Sequence, residues 1–297
     1  MEHKGFEIYE KKNTVIVSKV RDFNPVHIFE CGQCFRWEKE NDNSYTGVVK
    51  DRVINISCKE DKLIIKNSSL NDFFKIWFDY FDLARDYSVI KKEISVDEII
   101  KKATDFGWGI RILKQDFWEV LISFILSSNN NIARIKKAIE IISGEYGEKI
   151  TFNGKNYYSF PSCGELSSKS LDDLTICKSG YRCKYISLSS KIINEKKVDI
   201  KKISKLETKK ARQLLMNLPG IGPKVADCIL LFGDSRYNVF PVDVWIKRAM
   251  EAMYFKNEVS FNTVREFSKK YFSDKAGFAQ QYLFYYAREN KIDFSKS

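Results

Sequence analysis

The pattern of hydrophobic and polar positions changes once along this chain, near Ser69. Between residues 14 and 66 the apolar residues fall in short runs rich in β-branched and aromatic side chains, and polar turns such as ENDNS and KEDK separate them. The runs are TVIVSKV, QCFRWEK, SYTGVVK, RVINISC and KLIIKN. Runs of this length and composition predict an antiparallel meander of β-strands.

After Ser69 the apolar residues recur at intervals of three and four, which is the helical period. The pattern continues through segments such as DFWEVLISFILSS, NIARIKKAIEIISGEYG and AGFAQQYLFYYAREN, with no internal repeat and no low-complexity linker. The predicted fold class is therefore α+β. An N-terminal antiparallel β-sheet domain (residues 1–100) is followed by an all-helical domain pair (residues 101–297) that contains a helix-hairpin-helix at 207–232.

The charge of the chain favours a polyanionic partner. Among 297 residues, 50 are Lys or Arg and 39 are Asp or Glu, which gives a net charge of +11. Nucleic acid is the first such partner to consider. A generally Lys-rich composition explains the same charge equally well, so charge alone does not decide the function.

Membrane and redox signals narrow the class of protein. The longest strongly apolar run, VLISFIL, is far shorter than the roughly 18 residues of a membrane span, and the N-terminus lacks the apolar block of a signal peptide. Seven scattered cysteines are typical of reduced thiols. Cys31 and Cys34 could form half a zinc site or a redox pair, but two small buried residues beside a turn is the favoured interpretation. We expect a soluble cytoplasmic protein without a metal.

The segment Asn217–Cys228, NLPGIGPKVADC, predicts two short helices joined by a tight glycine turn. Pro223 suits the first turn of the second helix, where a missing N–H is no loss. We expect the free N–H groups at Gly220, Gly222 and Val225 to bind DNA phosphate without reading the sequence. The alternative is an ordinary αα-hairpin with a glycine C-cap.

Lys224 stands at the N-terminus of the second helix, where a cation is unfavourable for stability. The same position and partial burial lower the pKa of an amine, and an unprotonated amine is a nucleophile. Cys228 lies one turn later on the same face and could floor a pocket, although alone it is more typical of a core residue. Asp243 is a predicted N-cap that could also stabilise positive charge developing at a sugar C1′.

These motifs resemble the base-excision DNA glycosylases of the helix-hairpin-helix class, and most closely those that recognise 8-oxoguanine. LPGIGPKVADC followed by PVDVW carries the resemblance, and GQCFRW, SFILSSNNNIARI, SGYRCKYI and AGFAQQYLF extend it from about residue 30 to 290. The resemblance implies that Lys224 attacks C1′, expels the base and forms a Schiff base, after which β-elimination nicks the strand. It implies that Asp243 stabilises the transition state.

The resemblance also implies a pocket for the extruded base. Phe284 would stack on one side of the base and Cys228 on the other, while the Gln280 amide bonds the Watson–Crick edge. The Gly32 carbonyl would accept a hydrogen bond from N7–H of 8-oxoguanine and would be repelled by the N7 lone pair of guanine. Without the resemblance, a plain turn glycine and a core phenylalanine explain Gly32 and Phe284.

On the opposite strand, the resemblance implies that Asn129 fills the vacated space and that Tyr181 wedges the neighbouring step. Arg134 and Arg182 would read the acceptors of the orphaned base, so cytosine is the predicted preferred context. The alternatives are a polar loop with a helix cap for NNN and a solvated basic face for the arginines.

Two departures from the family pattern limit what carries over. Many members have a histidine where this chain has Trp245, so a phosphate contact is not implied there, although the indole N–H can still donate. The iron–sulfur cysteine quartet of some relatives is absent, so no cluster or other cofactor is expected. The hairpin carbonyls are a candidate site for a monovalent cation. The expected partner is double-stranded DNA that contains a damaged base. We expect the protein to be a monomer and not to bind membranes.

Two other functions stay open at this point. A glycosylase for a different damaged base would keep the scaffold, but Gly32, Gln280 and Phe284 argue against it. A non-catalytic DNA-binding module would use only the hairpin, but Lys224 and Asp243 argue against that function.

Overall fold

The N-terminal part of the chain forms a seven-stranded antiparallel sheet. The structure, a computed structural model, describes residues 1–291. The strands lie in the order β1-β2-β3-β7-β6-β5-β4. Their bounds are β1 (Glu2–His3), β2 (Phe6–Glu10), β3 (Thr14–Ser18), β4 (Trp37–Lys39), β5 (Tyr45–Val49), β6 (Arg52–Lys59) and β7 (Lys62–Lys66).

The sheet packs one face on a short helical segment. Ile56 of β6 pairs with Ile65 of β7, and both side chains are buried. The segment comprises helix α2 (Leu70–Asp72), a π-helical stretch (Phe73–Trp77) and helix α3 (Phe78–Tyr80), and Phe73 and Trp77 of it are fully buried against the sheet. Burial of such large apolar side chains is the main favourable term of folding here.

Helices make up most of the rest of the chain. They are α1 (Pro25–Phe29), α4 (Tyr87–Ile94), α5 (Glu98–Phe106), α6 (Phe117–Ser127), α7 (Ile132–Tyr146), α8 (Cys163–Ser167), α9 (Leu171–Leu174), α10 (Arg182–Asn194), α11 (Thr208–Met216), α12 (Pro223–Gly233), α13 (Val244–Met250), α14 (Phe261–Phe272) and α15 (Ala276–Glu289). Short 3-10 or π-helical turns extend α9 and α13 and precede α11 and α15.

The predicted fold class, a β-sheet domain followed by a helical domain with a helix-hairpin-helix, is confirmed. The helical core is separate from the core of the sheet, and it includes buried residues of α4 and α5 such as Tyr87 and Ile100. The division of the chain at residue 100 stays a prediction. None of the helices in the described residues is both long and apolar enough to cross a membrane.

Four strands, two at the N-terminus and two in the helical part, lie where we did not expect strands. Strands β1 and β2 precede the predicted first strand, and only Ile8 of β2 is buried, so their apolar pattern is weak. In the helical part, β8 (Lys149–Phe152) and β9 (Lys155–Tyr158) form a hairpin. Its turn residues, Asn153 and Gly154, have φ values of 48° and 73°. An Asn-Gly pair is the typical signal for such a turn.

Candidate active site

The hairpin between α11 and α12 presents open backbone donors. Helix α12 begins at Pro223 with Gly222 as N-cap and has no side-chain cap, so the first N–H groups of the helix are left for another partner. The space around Gly222 is open, since a Cβ added there would meet no neighbouring atom of residues 1–291 within 4 Å. The side chain of Val225 is buried in the core, so only its backbone could face a ligand.

The turn itself is packed against α10. Gly220 has φ 81°, and a Cβ there would lie 2.5 Å from Cδ2 of Tyr185. Ser189 of the same helix donates a hydrogen bond to the Pro219 carbonyl at 3.1 Å. Both contacts fix the hairpin relative to α10, and only glycine fits at position 220.

Lys224 is half-buried in the first turn of α12, with its Nζ 5.5 Å from the centroid of the Phe124 ring. Cys228, one turn later, is 4% exposed. Burial raises the pKa of the Cys228 thiol to about 12, while the nearby Lys224 ammonium lowers it and the Asp243 carboxylate raises it. Cys228 is therefore within electrostatic range of both predicted catalytic groups, although α12 and α13 are separate helices.

Asp243 caps helix α13, as the sequence predicts. Its side chain accepts a hydrogen bond from the backbone N–H of Ile246 at 2.8 Å, and its own backbone is extended. The bond holds the carboxylate in one orientation at the N-terminus of α13.

Gly32 and Phe284 meet although they are distant in sequence. Gly32 has φ 84°, and a Cβ there would lie 3.3 Å from Cε1 of Phe284. One turn before Phe284 on α15, Gln280 is 6% exposed, and its Oε1 has no hydrogen-bond partner within residues 1–291. A buried amide oxygen without a partner is unfavourable, so the position suits a ligand that donates a hydrogen bond.

Trp245 connects Phe284 to helix α13, which Asp243 caps. Its ring packs edge-to-face on Phe284, with the centroids 5.3 Å apart and the planes at 67°. Because Trp245 lies two residues after Asp243, the N-terminal turn of α13 contacts Phe284 directly. In this chain the residue that replaces the family histidine thus helps to position the predicted stacking ring.

The turn that carries Gly32 is fixed by Gln33, which sequence reasoning missed. Gln33 is fully buried. Its Nε2 donates to the carbonyls of Ile28 at 2.9 Å and Arg111 at 2.7 Å, and its Oε1 accepts from the N–H of Leu113 at 2.8 Å. The only signal in the sequence was an amide inside the CGQC turn, where the two cysteines are the more conspicuous residues.

Gln281 was also missed. Its Nε2 donates to the carbonyl of Cys31 at 2.7 Å, so α15 holds the turn from the other side. Cys31 and Cys34 are buried free thiols, and burial raises the pKa of Cys31 to about 11. They form part of the cores, which agrees with the favoured interpretation. In the described part of the chain, no group of three or more His, Cys, Asp or Glu side chains is placed to hold a metal ion.

Three of the residues predicted to face the opposite strand, Asn129, Tyr181 and Arg182, lie together. Arg182 donates from Nε to the Ser128 carbonyl at 2.7 Å, and from Nη2 to the Asn129 carbonyl at 2.7 Å. Its guanidinium also lies 4.5 Å from the centroid of the Tyr181 ring. Asn129 has φ 48°, a left-handed backbone that asparagine tolerates. Arg182 therefore holds the loop that presents Asn129.

Tyr181 and Arg134 are both exposed. Tyr181 is 53% exposed, and its ring packs edge-to-face on Tyr185 at 5.6 Å, next to the hairpin turn. Arg134 is exposed in the first turn of α7, and its backbone N–H bonds the side chain of the N-cap Asn131 at 2.9 Å. The alternative role of NNN as a helix cap thus holds for Asn131 and leaves Asn129 available.

Ion pairs of the buried Asp227 with two partly exposed arginines brace the hairpin and were not predicted. Asp227, one residue before Cys228, accepts from Nε of Arg212 at 2.5 Å, and Arg265 of α14 lies 3.8 Å away. Burial raises the pKa of Asp227 to about 6, against the opposing effect of both arginines. The carboxylate links α11, α12 and α14 behind the reactive face.

The chain is similar to known DNA repair proteins along most of its length. Residues 15–121 match the family model of the 8-oxoguanine DNA glycosylase N-terminal domain, and residues 122–273 match that of the HhH-GPD superfamily base excision DNA repair proteins. An N-glycosylase/DNA lyase of Saccharomyces cerevisiae is 32% identical over 277 residues, which cover 82% of this chain and 72% of the yeast protein.

Two solved structures are also similar over nearly their whole length. MBOgg1 in complex with a low affinity DNA ligand has a TM-score of 0.94 and 47% identity, covering 96% of this chain and 99% of that one. The Clostridium acetobutylicum 8-oxoguanine glycosylase/lyase, in complex with double-stranded DNA containing cytosine opposite 8-oxoguanine, has a TM-score of 0.94 and 43% identity. The match covers 96% of this chain and 99% of the Clostridium acetobutylicum chain.

Proposed function

The chain belongs to the HhH-GPD superfamily of base excision DNA repair proteins and, within it, to the 8-oxoguanine DNA glycosylase/lyases, and on this premise we propose how its residues carry out the reaction. The substrate is double-stranded DNA that contains 8-oxoguanine, with cytosine as the preferred opposite base. The observation that carries the proposal is that Cys228 lies near both Lys224 and Asp243, while Gly32 contacts Phe284 and Phe284 contacts the helix that Asp243 caps.

The hairpin holds the DNA backbone. The open N–H groups around Gly222 and at the start of α12 bind a phosphate, and the net charge of +11 supports association with DNA of any sequence. The target nucleotide must then leave the stack, because its C1′ cannot be reached within the duplex.

The extruded base enters the pocket between Phe284 and Cys228. The buried Oε1 of Gln280 accepts from donors on the Watson–Crick edge of the purine. The Gly32 carbonyl accepts from N7–H, a donor that 8-oxoguanine has and guanine lacks. The anchoring of this turn by Gln33 and Gln281 supports a rigid carbonyl, and rigidity is what makes a repelled lone pair costly.

Lys224 supplies the nucleophile in its unprotonated form. Its Nζ forms a bond to C1′ while the bond from C1′ to the base breaks, and the base leaves with the bonding electron pair. Ring opening gives a Schiff base between Nζ and C1′, and loss of a C2′ proton then expels the 3′ phosphate. The fixed Asp243 carboxylate stabilises the positive charge that develops on the sugar.

On the other strand, Tyr181 wedges the neighbouring step and Asn129 occupies the vacated space. Arg134 and Arg182 donate to the acceptors of the orphaned cytosine. The exposure of Tyr181 and Arg134 and the bond from Arg182 to the Asn129 carbonyl support these roles.

Borohydride trapping tests the proposal. Wild type incubated with a duplex containing 8-oxoguanine opposite cytosine should give a covalent protein–DNA adduct on reduction, and Lys224→Gln should give none while it still binds the duplex. Trapping by the variant would mean that another amine attacks. A panel of duplexes with oxidised pyrimidines or alkylated purines distinguishes a different lesion, and absence of any adduct with wild type would favour a non-catalytic DNA-binding module.

A further inference from the structure

We propose that Arg288 is a further specificity-determining residue, which donates a hydrogen bond from Nη1 to the carbonyl oxygen at C8 of the oxidised base. The inference rests on the proposed function and deepens it, since it adds a second reader of the oxidised edge beside Gly32. Nothing in the sequence motifs pointed to this residue.

Arg288 lies one helical turn after Phe284 on α15, beside Gly32. Its guanidinium carbon is 5.6 Å from the centroid of the Phe284 ring. Its Nη1 is 3.7 Å from the position that a Cβ on Gly32 would take. The cation thus touches both the turn that carries the predicted acceptor and the ring predicted to stack on the base.

The guanidinium is held in one orientation by its other donors. Nε donates to the Glu289 carboxylate at 2.9 Å, and Nη2 lies 2.8 Å from the same oxygen. Nη2 also donates to the carbonyl of Glu30, two residues before Gly32. These bonds fix the plane of the guanidinium, so Nη1 cannot turn freely to find a partner.

Nη1 itself is buried and has no hydrogen-bond partner within residues 1–291. A buried donor on a charged group is costly when it is left unpaired. An acceptor supplied by a ligand would remove that cost. Oε1 of Gln280 is likewise buried and unpaired, so α15 carries one unpaired acceptor and one unpaired donor, each one turn from Phe284.

The chemistry of the oxidised purine identifies the acceptor. Oxidation at C8 creates an N7–H donor and, next to it, a C8 carbonyl acceptor, and guanine has neither. A protein edge that pairs a carbonyl with an adjacent N–H donor complements this feature. Gly32 offers the carbonyl, and Arg288 offers the adjacent donor.

Binding of uncleavable duplexes tests the role of Arg288. The probes carry 2′-fluoro-8-oxoguanine or 2′-fluoroguanine opposite cytosine. The readout is the dissociation constant of the guanine duplex divided by that of the 8-oxoguanine duplex. Arg288→Met, which keeps the hydrocarbon stem but has no donor, should lower this ratio about tenfold by weakening only the 8-oxoguanine complex. Arg288→Lys, which keeps the charge, should lower it less and serves if the Met variant does not fold.

The matched control is Arg52→Met on β6, where Arg52 is exposed and lies 3.8 Å from Asp51. It should leave the ratio unchanged. An unchanged ratio in both Arg288 variants would overturn the inference, and so would equal weakening of both complexes, because a purely structural role would affect both. If wild type itself fails to prefer 8-oxoguanine, the proposed function fails, which is a separate outcome.

Discussion

Gly32 and Arg134 are both predicted to read a base, yet their surroundings differ. Gly32 belongs to the lesion side of the site (Gly32, Cys228, Gln280 and Phe284), where the turn is held by buried amides and packed on an aromatic ring. Arg134 belongs to the opposite-base side (Asn129, Arg134, Tyr181 and Arg182), where its side chain is exposed.

The difference bears on how each side discriminates between bases. On the lesion side a wrong base leaves buried polar groups unpaired, which costs about 1–3 kcal/mol per group. On the opposite-base side a wrong base leaves Arg134 exposed to water. Arg182 keeps its bonds to the Ser128 and Asn129 carbonyls, so the cost is smaller. We therefore expect strict recognition of the lesion and a weaker preference for cytosine.

Among these variants, the largest effect is expected at Asp243. Its predicted role is at the sugar, so it is needed whichever base is recognised. Asp243→Asn removes the charge but keeps a good N-cap, so the fold should persist. Base release measured in a single turnover should fall on the order of 100-fold or more, because a fixed charge near the reacting centre is lost.

The control for Asp243→Asn is Asp86→Asn, the same change at the N-cap of α4. It should leave base release unaltered. A normal rate of base release in the Asp243 variant would show that Asp243 only caps α13. The lesion side and the opposite-base side would then differ only in how they bind bases.

An intermediate effect is expected from Gly32→Ala on the lesion side. The left-handed backbone costs an alanine about 1 kcal/mol, and the new methyl would press on Phe284 at 3.3 Å. Displacement of the carbonyl should reduce the affinity for 2′-fluoro-8-oxoguanine about 10- to 100-fold, the loss expected for one buried hydrogen bond. Equal loss with 2′-fluoroguanine would mean that the turn supports the pocket without reading the lesion.

The smallest effects are expected on the opposite-base side, where substitutions of the two arginines should differ in their effect on stability. Arg134→Ala should lower the preference for cytosine over the other three bases about tenfold and leave the melting temperature unchanged, since its side chain is exposed. Arg182→Ala should lower the same preference and also destabilise the protein by about 1–3 kcal/mol, because Arg182 bonds the carbonyls of Ser128 and Asn129.

Melting curves and base release opposite each of the four bases measure both arginine variants. If Arg182→Ala has a normal melting temperature, the loop does not depend on its bonds. If Arg134→Ala abolishes base release opposite every base, the opposite-base side is as strict as the lesion side, and the comparison is wrong.

Much of the molecule could be predicted because its signals are local. The strands of residues 14–66, the hairpin helices and the cap at Asp243 follow from periodicity, turn residues and capping chemistry within a few positions of one another. The hairpin β8–β9 was missed despite its Asn-Gly turn, because its strands are short and half-exposed and so carry little apolar alternation. The roles of the predicted site residues stay proposals.

The sequence by itself thus determined the local elements, and its motifs predicted which residues form the site. Only the tertiary structure decided what supports them. Gln281 reaches Cys31 across 250 positions, and Arg288 reaches Glu30 across 258. The hydrogen bonds of a buried side chain depend on which distant segments pack around it, and no pattern of neighbouring residues records that.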